Sequence, residues 1–157
     1  MLPRKLYAGT FALALAGAAL VSNAEAAKVA ESDEFLTAKV VIAQYVRAAR
    51  GVTSIRVPVN IDLTNVGKED LEVQSPTVCQ VHDYVITKPN NDVIYKKPQR
   101  SCAQAVEKQV IKAGETISAT TAIKVPTNLF AEGRRYFLKY QFWGVQAKAP
   151  LRVHFND

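Results

Sequence analysis

The chain is poor in the residues that carry most enzyme and metal chemistry: two histidines, two cysteines, one methionine and one tryptophan among 157 residues. A blue-copper centre wants two His, one Cys and usually an axial Met near the end of the chain. Here the only methionine is Met1, and no cysteine lies in the C-terminal third. Hydrolysis fares no better. His82 and His154 are the only imidazoles, and no serine sits in a Gly-x-Ser-x-Gly turn. Asp62 and Asp83 could pair only from distant strands, and carboxylates at alternate strand positions ordinarily face water. The expectation is a protein without catalytic residues and without a cofactor.

Other scarcities limit partners and architecture. The 20 Lys and Arg residues outnumber the 14 acidic ones, but they are scattered, apart from the pairs Lys96-Lys97 and Arg134-Arg135. A nucleic-acid surface wants a denser basic stripe or interleaved stacking aromatics, so no nucleic-acid partner is expected. Attraction to an anionic envelope surface is compatible with the excess. The longest apolar run, Leu6 to Val21, falls short of the roughly 20 residues of a membrane span and is rich in small residues. There are no internal repeats or low-complexity tracts, and nothing marks a second domain.

That apolar run has a different reading. Arg4 and Lys5 precede it, and the polar stretch Ser22 to Ala26 follows, with Ala24 and Ala26 in the small-x-small spacing of a leader-peptidase site. Residues 1–26 therefore read as a cleavable signal peptide, and no cysteine near the cut provides for a lipid anchor. The product is expected to be periplasmic or secreted, with no stable membrane insertion after cleavage. Removing Arg4, Lys5 and Glu25 leaves 18 basic and 13 acidic side chains, a net charge of +5 on the mature chain. Residues 27–35 are polar and read as a flexible N-terminal arm; 36–157 form one domain.

Export decides the reading of Cys79 and Cys102. Thiols are oxidised outside the cytoplasm, so one intramolecular disulfide is expected, contributing on the order of 3 kcal/mol by loop closure. Cys79-x-x-His82 with Cys102 and His154 could in principle supply four zinc ligands, but a disulfide removes both thiolates. No metal is expected.

The periodicity is that of strands. Ile55, Val57, Val59, Ile61 and Leu63 alternate with polar residues over 55–64, which places one apolar face on a half-buried strand. Pro58 cannot donate to a ladder, so this strand is expected at an edge or with a bulge. Residues 37–47 are β-branched and aromatic, with a helix as the competing reading. Further strands are expected at 71–73, 78–87, 93–95, 106–111, 116–125, 135–143 and 151–155. Turn chemistry separates them at 65–68, 88–92 and 113–115. The pattern predicts an all-β, immunoglobulin-like antiparallel β-sandwich of seven or eight strands.

With the strands placed, residues 57–144 resemble the intracellular proteinase inhibitor (BsuPI) family of immunoglobulin-like domains. The resemblance rests on Val59 to Lys68 as a strand running into an Asn-led turn, and on Glu72 to Pro76 followed by His82 to Ile86. It includes the hairpin Asn90 to Tyr95, and Ala113-Gly114-Glu115 where the family has Pro-Gly-Glu. Gly133-Arg134-Arg135-Tyr136 stands for the Gly-x-Tyr entry to the last core strand. What the resemblance implies is the fold and, more distantly, inhibition of a proteinase; it transfers no inhibitory loop.

The expected function is a non-catalytic protein-binding module of the bacterial envelope, proteinase-inhibitor-like in one form. A periplasmic chaperone or assembly factor for fibre or surface-protein subunits is the alternative, and a small-ligand carrier or enzyme with a hidden pocket is the third. Candidate contacts are Asn90 and Asn91 in the 88–92 turn, Lys97 and Arg100 in the loop tethered by Cys102, and Trp143. Trp143 also reads as packing over the rim of the core.

Overall fold

The computed structural model describes residues 28–29 and 34–156; the expected leader 1–26 and its cleavage site lie outside them. Eleven strands are present among the described residues: β1 (Lys28–Val29), β2 (Leu36–Ile42), β3 (Tyr45–Ala49), β4 (Ser54–Asn65), β5 (Leu71–Ser75), β6 (His82–Thr87), β7 (Val93–Lys96), β8 (Glu107–Ile111), β9 (Thr116–Pro126), β10 (Tyr136–Phe142) and β11 (Val145–Asn156). They form sheets of order β2-β4-β9 and β3-β11-β10-β6-β7, with a small third sheet β1-β5-β8. The all-β sandwich expected from the periodicity is the fold.

The alternating residues supply the core. Val57, Val59, Ile61 and Leu63 of β4 are fully buried. So are Leu138 of β10 and Leu151 and Val153 of β11, in one cluster spanning the two larger sheets. At ~25 cal/mol per Å² of apolar area removed from water, such side chains contribute about 1.5–3 kcal/mol each. At the start of β10 the Tyr136 hydroxyl reaches back and accepts the Ala131 N–H at 2.9 Å. A tyrosine so placed pins the corner between sheets in immunoglobulin-like sandwiches.

Several boundaries differ from the sequence reading, each for a tertiary reason. Residues 36–47 are strand rather than helix, but the strand breaks at Ala43-Gln44 and changes sheet: β2 pairs with β4, and β3 runs parallel to β11. Val78–Gln80 is a 3-10 turn, so the hairpin begins at His82. The last strand starts at Val145, not Leu151, and runs through Pro150. Within the expected arm, Lys28–Val29 pairs parallel with β5.

Pro58 is the most instructive difference. β4 is the central strand of its sheet and runs unbulged past Pro58. Asn65 N–H bonds Glu115 O on the β9 side, and Val66 N–H bonds Phe35 O on the β2 side. Strand alternation therefore turns the backbone of odd-numbered β4 residues toward β9 and of even-numbered ones toward β2. Pro58 faces β2, whose pairing ends at Ile42 opposite Val59. The missing donor falls one residue beyond the end of its neighbour.

Candidate functional site

One end of the sandwich gathers three of the five predicted contact residues. The chain from Lys97 to Val106 has no regular structure, and two attachments hold it. The first is the Cys79–Cys102 disulfide, with Cα atoms 6.2 Å apart, within the range such bonds need. The second is Lys97, whose ammonium donates to Cys79 O at 2.6 Å and also to His82 O. Its charge faces the groove, but its hydrogen bonds serve the loop. Arg100 is exposed on the same loop. Trp143 caps this end: its backbone N–H donates to Val81 O at 2.9 Å, and its half-buried ring leans on Phe142. That is the rim packing expected of it.

Asn90 and Asn91 do not join this group. They form the tip of the β6–β7 hairpin, at the opposite end of β6 from His82. Asn91 adopts the left-handed backbone (φ 70°), and the Asn90 side chain accepts Asp92 N–H at 3.2 Å and donates to its carboxylate at 2.8 Å. Both side-chain roles are those of turn formers. The strand between them separates this tip from the tethered loop, so the two do not form one patch.

Beneath the loop, a groove of about 570 Å³ opens between the larger sheets. Register explains its lining. Tyr140 of β10 pairs with Tyr84 of β6, and Phe142 with His82. Alternation puts all four on the inner face, where among the described residues no further strand closes the sandwich. Tyr84 and Tyr140 stack with ring centroids 6.0 Å apart, Tyr95 tilts against Tyr84 at 6.3 Å, and His82 stacks on Phe142 at 4.8 Å. The Tyr140 hydroxyl and His82 Nδ1 share a hydrogen bond of 3.1 Å. The other wall is β9, from Thr121 to Lys124.

The electrostatics are one-sided. Lys97, Arg100 and Lys124 line the groove, and no carboxylate does. Asp83 lines only the smaller hollow beside it and accepts Tyr84 N–H at 2.8 Å. Burial, and then the positive charge of Lys97, hold the His82 pKa below its ordinary value, so the imidazole is favoured neutral. Burial pushes the Tyr84 and Tyr140 phenols up to about 12, with Arg100 opposing the shift at Tyr84. The groove thus offers aromatic faces bordered by cations.

His154 lies elsewhere, on β11, where its Nδ1 meets Glu132 Oε1 at 2.8 Å. The Cys-x-x-His spacing does not assemble with it, and among the described residues no three His, Cys, Asp or Glu side chains gather as metal ligands. The tyrosine cluster was missed by sequence reading. Its one local sign is that His82, Tyr84 and Ile86 recur every second residue.

No family model matches the chain, and no curated protein is similar to it. Among solved structures, a β-glucosidase from Listeria innocua in complex with glucose is similar over 76% of this chain, at 10% identity and a TM-score of 0.40. This chain spans only 16% of that enzyme's length. A structural-genomics target is similar over 78% of this chain and 88% of its own, at 13% identity and a TM-score of 0.43.

Proposed function

We propose that the protein is an exported, non-catalytic protein-binding module of the bacterial envelope that meets its partner at the tethered-loop end of the sandwich. The supporting observation is the restraint of residues 97–106. A covalent bond and the two Lys97 hydrogen bonds hold an irregular segment over a cationic, carboxylate-free groove. Ordering a free loop on binding costs roughly 0.5–1.5 kcal/mol for each immobilised flexible side chain, and a restrained loop has lost part of that freedom before the partner arrives. Inhibition of a proteinase is the form of binding that the family resemblance suggests, and the tethered loop is the segment whose restraint suits it to enter a cleft.

The test is capture from the envelope fraction with immobilised wild-type protein, beside Arg100→Glu and an unrelated sandwich domain. A partner retained by the wild type, released by salt and lost with Arg100→Glu is the expected result. A partner held equally by the charge-reversed variant, or none above the unrelated domain, refutes the reading.

A further inference from the structure

We infer that the free edge of β9 accepts an extended segment of a partner protein as an added strand, with an acidic residue of that segment against Lys97 and Arg100. This rests on the protein-binding reading above and names where and in what conformation the partner binds.

The geometry begins with the ladder. Odd-numbered residues of β4 turn their backbone toward β9, and their register partners are the odd residues Ile117, Ala119, Thr121 and Ile123. The N–H and C=O groups of Thr116, Ser118, Thr120 and Ala122 therefore point away from the sheet. Among the described residues no strand pairs with them. Only Lys124 O, at the end, receives a donor, the Tyr95 hydroxyl at 3.4 Å. The preceding strand, β8, departs to pair with β5 and leaves this side uncovered.

Sheet edges are ordinarily defended by charges, proline, bulges or short length. The other edges of this protein are. β2 carries Lys39, β3 carries Arg47, β8 carries Glu107 and Lys108, and the four-residue β7 carries Lys96 and faces a register irregularity at Ile86/Thr87. β9 has no such device from Thr116 to Ile123: no charge, no proline, no glycine, and eleven consecutive register pairs with β4. Its outer face is instead tied to β4 by side-chain hydrogen bonds. Thr116 meets Thr64 at 2.8 Å, Ser118 donates to Asp62 at 2.7 Å, and Thr120 donates to Asn60 at 2.9 Å. The inward side chains Ile117, Ala119 and Thr121 stay partly exposed although they point between the sheets. An added strand would cover them and set its own inward side chains beside the tyrosine-lined groove.

Charge selects the occupant. A second copy pairing antiparallel about Thr120 would set Lys124 opposite Thr116 and leave the cationic end without a carboxylate. The nearest candidate, Glu115, is held by Lys112 N–H at 2.7 Å. A partner segment with small or β-branched residues and an acidic end matches both the neutral edge and the positive groove.

The probe is a displayed library of random twelve-residue peptides, selected on the wild-type protein and re-scored on Thr120→Pro. Proline at 120 removes an outward N–H that the β4–β9 ladder does not use, as Pro58 does on β4. Ser118→Pro is the second variant should the first not fold, and circular dichroism checks both. Expected are peptides enriched in acidic residues at one end, at least tenfold weaker on the folded proline variant and weakened by salt. Peptides indifferent to the substitution, enrichment of basic ones, or no enrichment over the proline variant overturns the inference. So does a wild-type dimer that Thr120→Pro dissociates. An envelope partner lost with Arg100→Glu but kept by Thr120→Pro also sinks the edge inference, and leaves the loop-binding function standing.

Discussion

Asn65 is fully buried at the end of β4, and its replacement by alanine should be among the most damaging single changes in the protein. Its Nδ2 donates to Glu69 O at 2.8 Å and Ile111 O at 3.0 Å, and its Oδ1 accepts Gly67 N–H at 2.9 Å. One side chain thereby ties the 66–70 turn and the end of β8 to the central strand. Alanine strands the buried Ile111 carbonyl and leaves the other two groups to whatever water can enter. A buried polar group left unsatisfied costs about 1–3 kcal/mol, so the total loss should be about 3–5 kcal/mol, most of a small domain's stability. Urea unfolding followed by Trp143 fluorescence and circular dichroism measures it, with an unchanged m-value expected. Asn65→Asp refines the test. The carboxylate keeps the Gly67 contact but turns an oxygen toward two carbonyls, which raises its folded pKa above the unfolded value of about 3.9. Its penalty is full above that folded pKa and shrinks as pH falls, so the gap to wild type should narrow between pH 7 and 4. A loss below about 1 kcal/mol for Asn65→Ala would refute the idea that this side chain organises the end of the sandwich.

The mature protein should begin at Ala27; intact mass of material recovered from the envelope checks this, and a retained leader would overturn the expectation of a cleaved signal peptide. Without prior reduction neither Cys79 nor Cys102 should alkylate, and Cys102→Ser should lower stability by roughly 3 kcal/mol, from closure of a loop with sequence separation 23. His82 should titrate by NMR with a midpoint below 6.5, because burial and Lys97 disfavour its charged form. The unfolded chain then binds the proton first, so stability is lost as pH falls from 7 through the folded pKa, and His82→Gln should flatten that slope. An unshifted midpoint would place His82 in water instead of against Phe142.

Where neighbours in sequence decide the structure, the residues were readable. The period of two in β4 follows from burial of one face, and the turns at 88–92 and 113–115 follow from residues that tolerate a left-handed backbone. Asn91 and Gly114 do have positive φ. Where a distant strand decides, the residues were silent. Nothing local says that 36–47 must split at Ala43-Gln44, because the break exists to move the chain from β4 to β11. The last strand was expected from Leu151, yet β11 begins at Val145 and continues through Pro150. Val78–Gln80 has strand-forming residues but turns, because the chain must cross from β5 in the small sheet to β6.

The site divides along the same line. Its tethered loop was legible because a chain that reads as exported and has two cysteines needs no tertiary knowledge to suggest the bridge, and Lys97 and Arg100 lie beside Cys102 in sequence. The groove was not, since Tyr84, Tyr95 and Tyr140 come from three strands and meet only through register. The edges show the limit most sharply. Pro58 marks β4 as an edge by its chemistry, yet β4 is central, and the proline is tolerated because β2 ends one residue short of it. From Thr116 to Ile123 β9 carries no edge chemistry, yet among the described residues it is the edge. A strand without defences ordinarily belongs inside a sheet, where a neighbour satisfies its backbone. Finding such a stretch at the margin, tied to β4 by its outer hydrogen bonds and beside a cationic aromatic groove, is the reason to look for its neighbour in another protein.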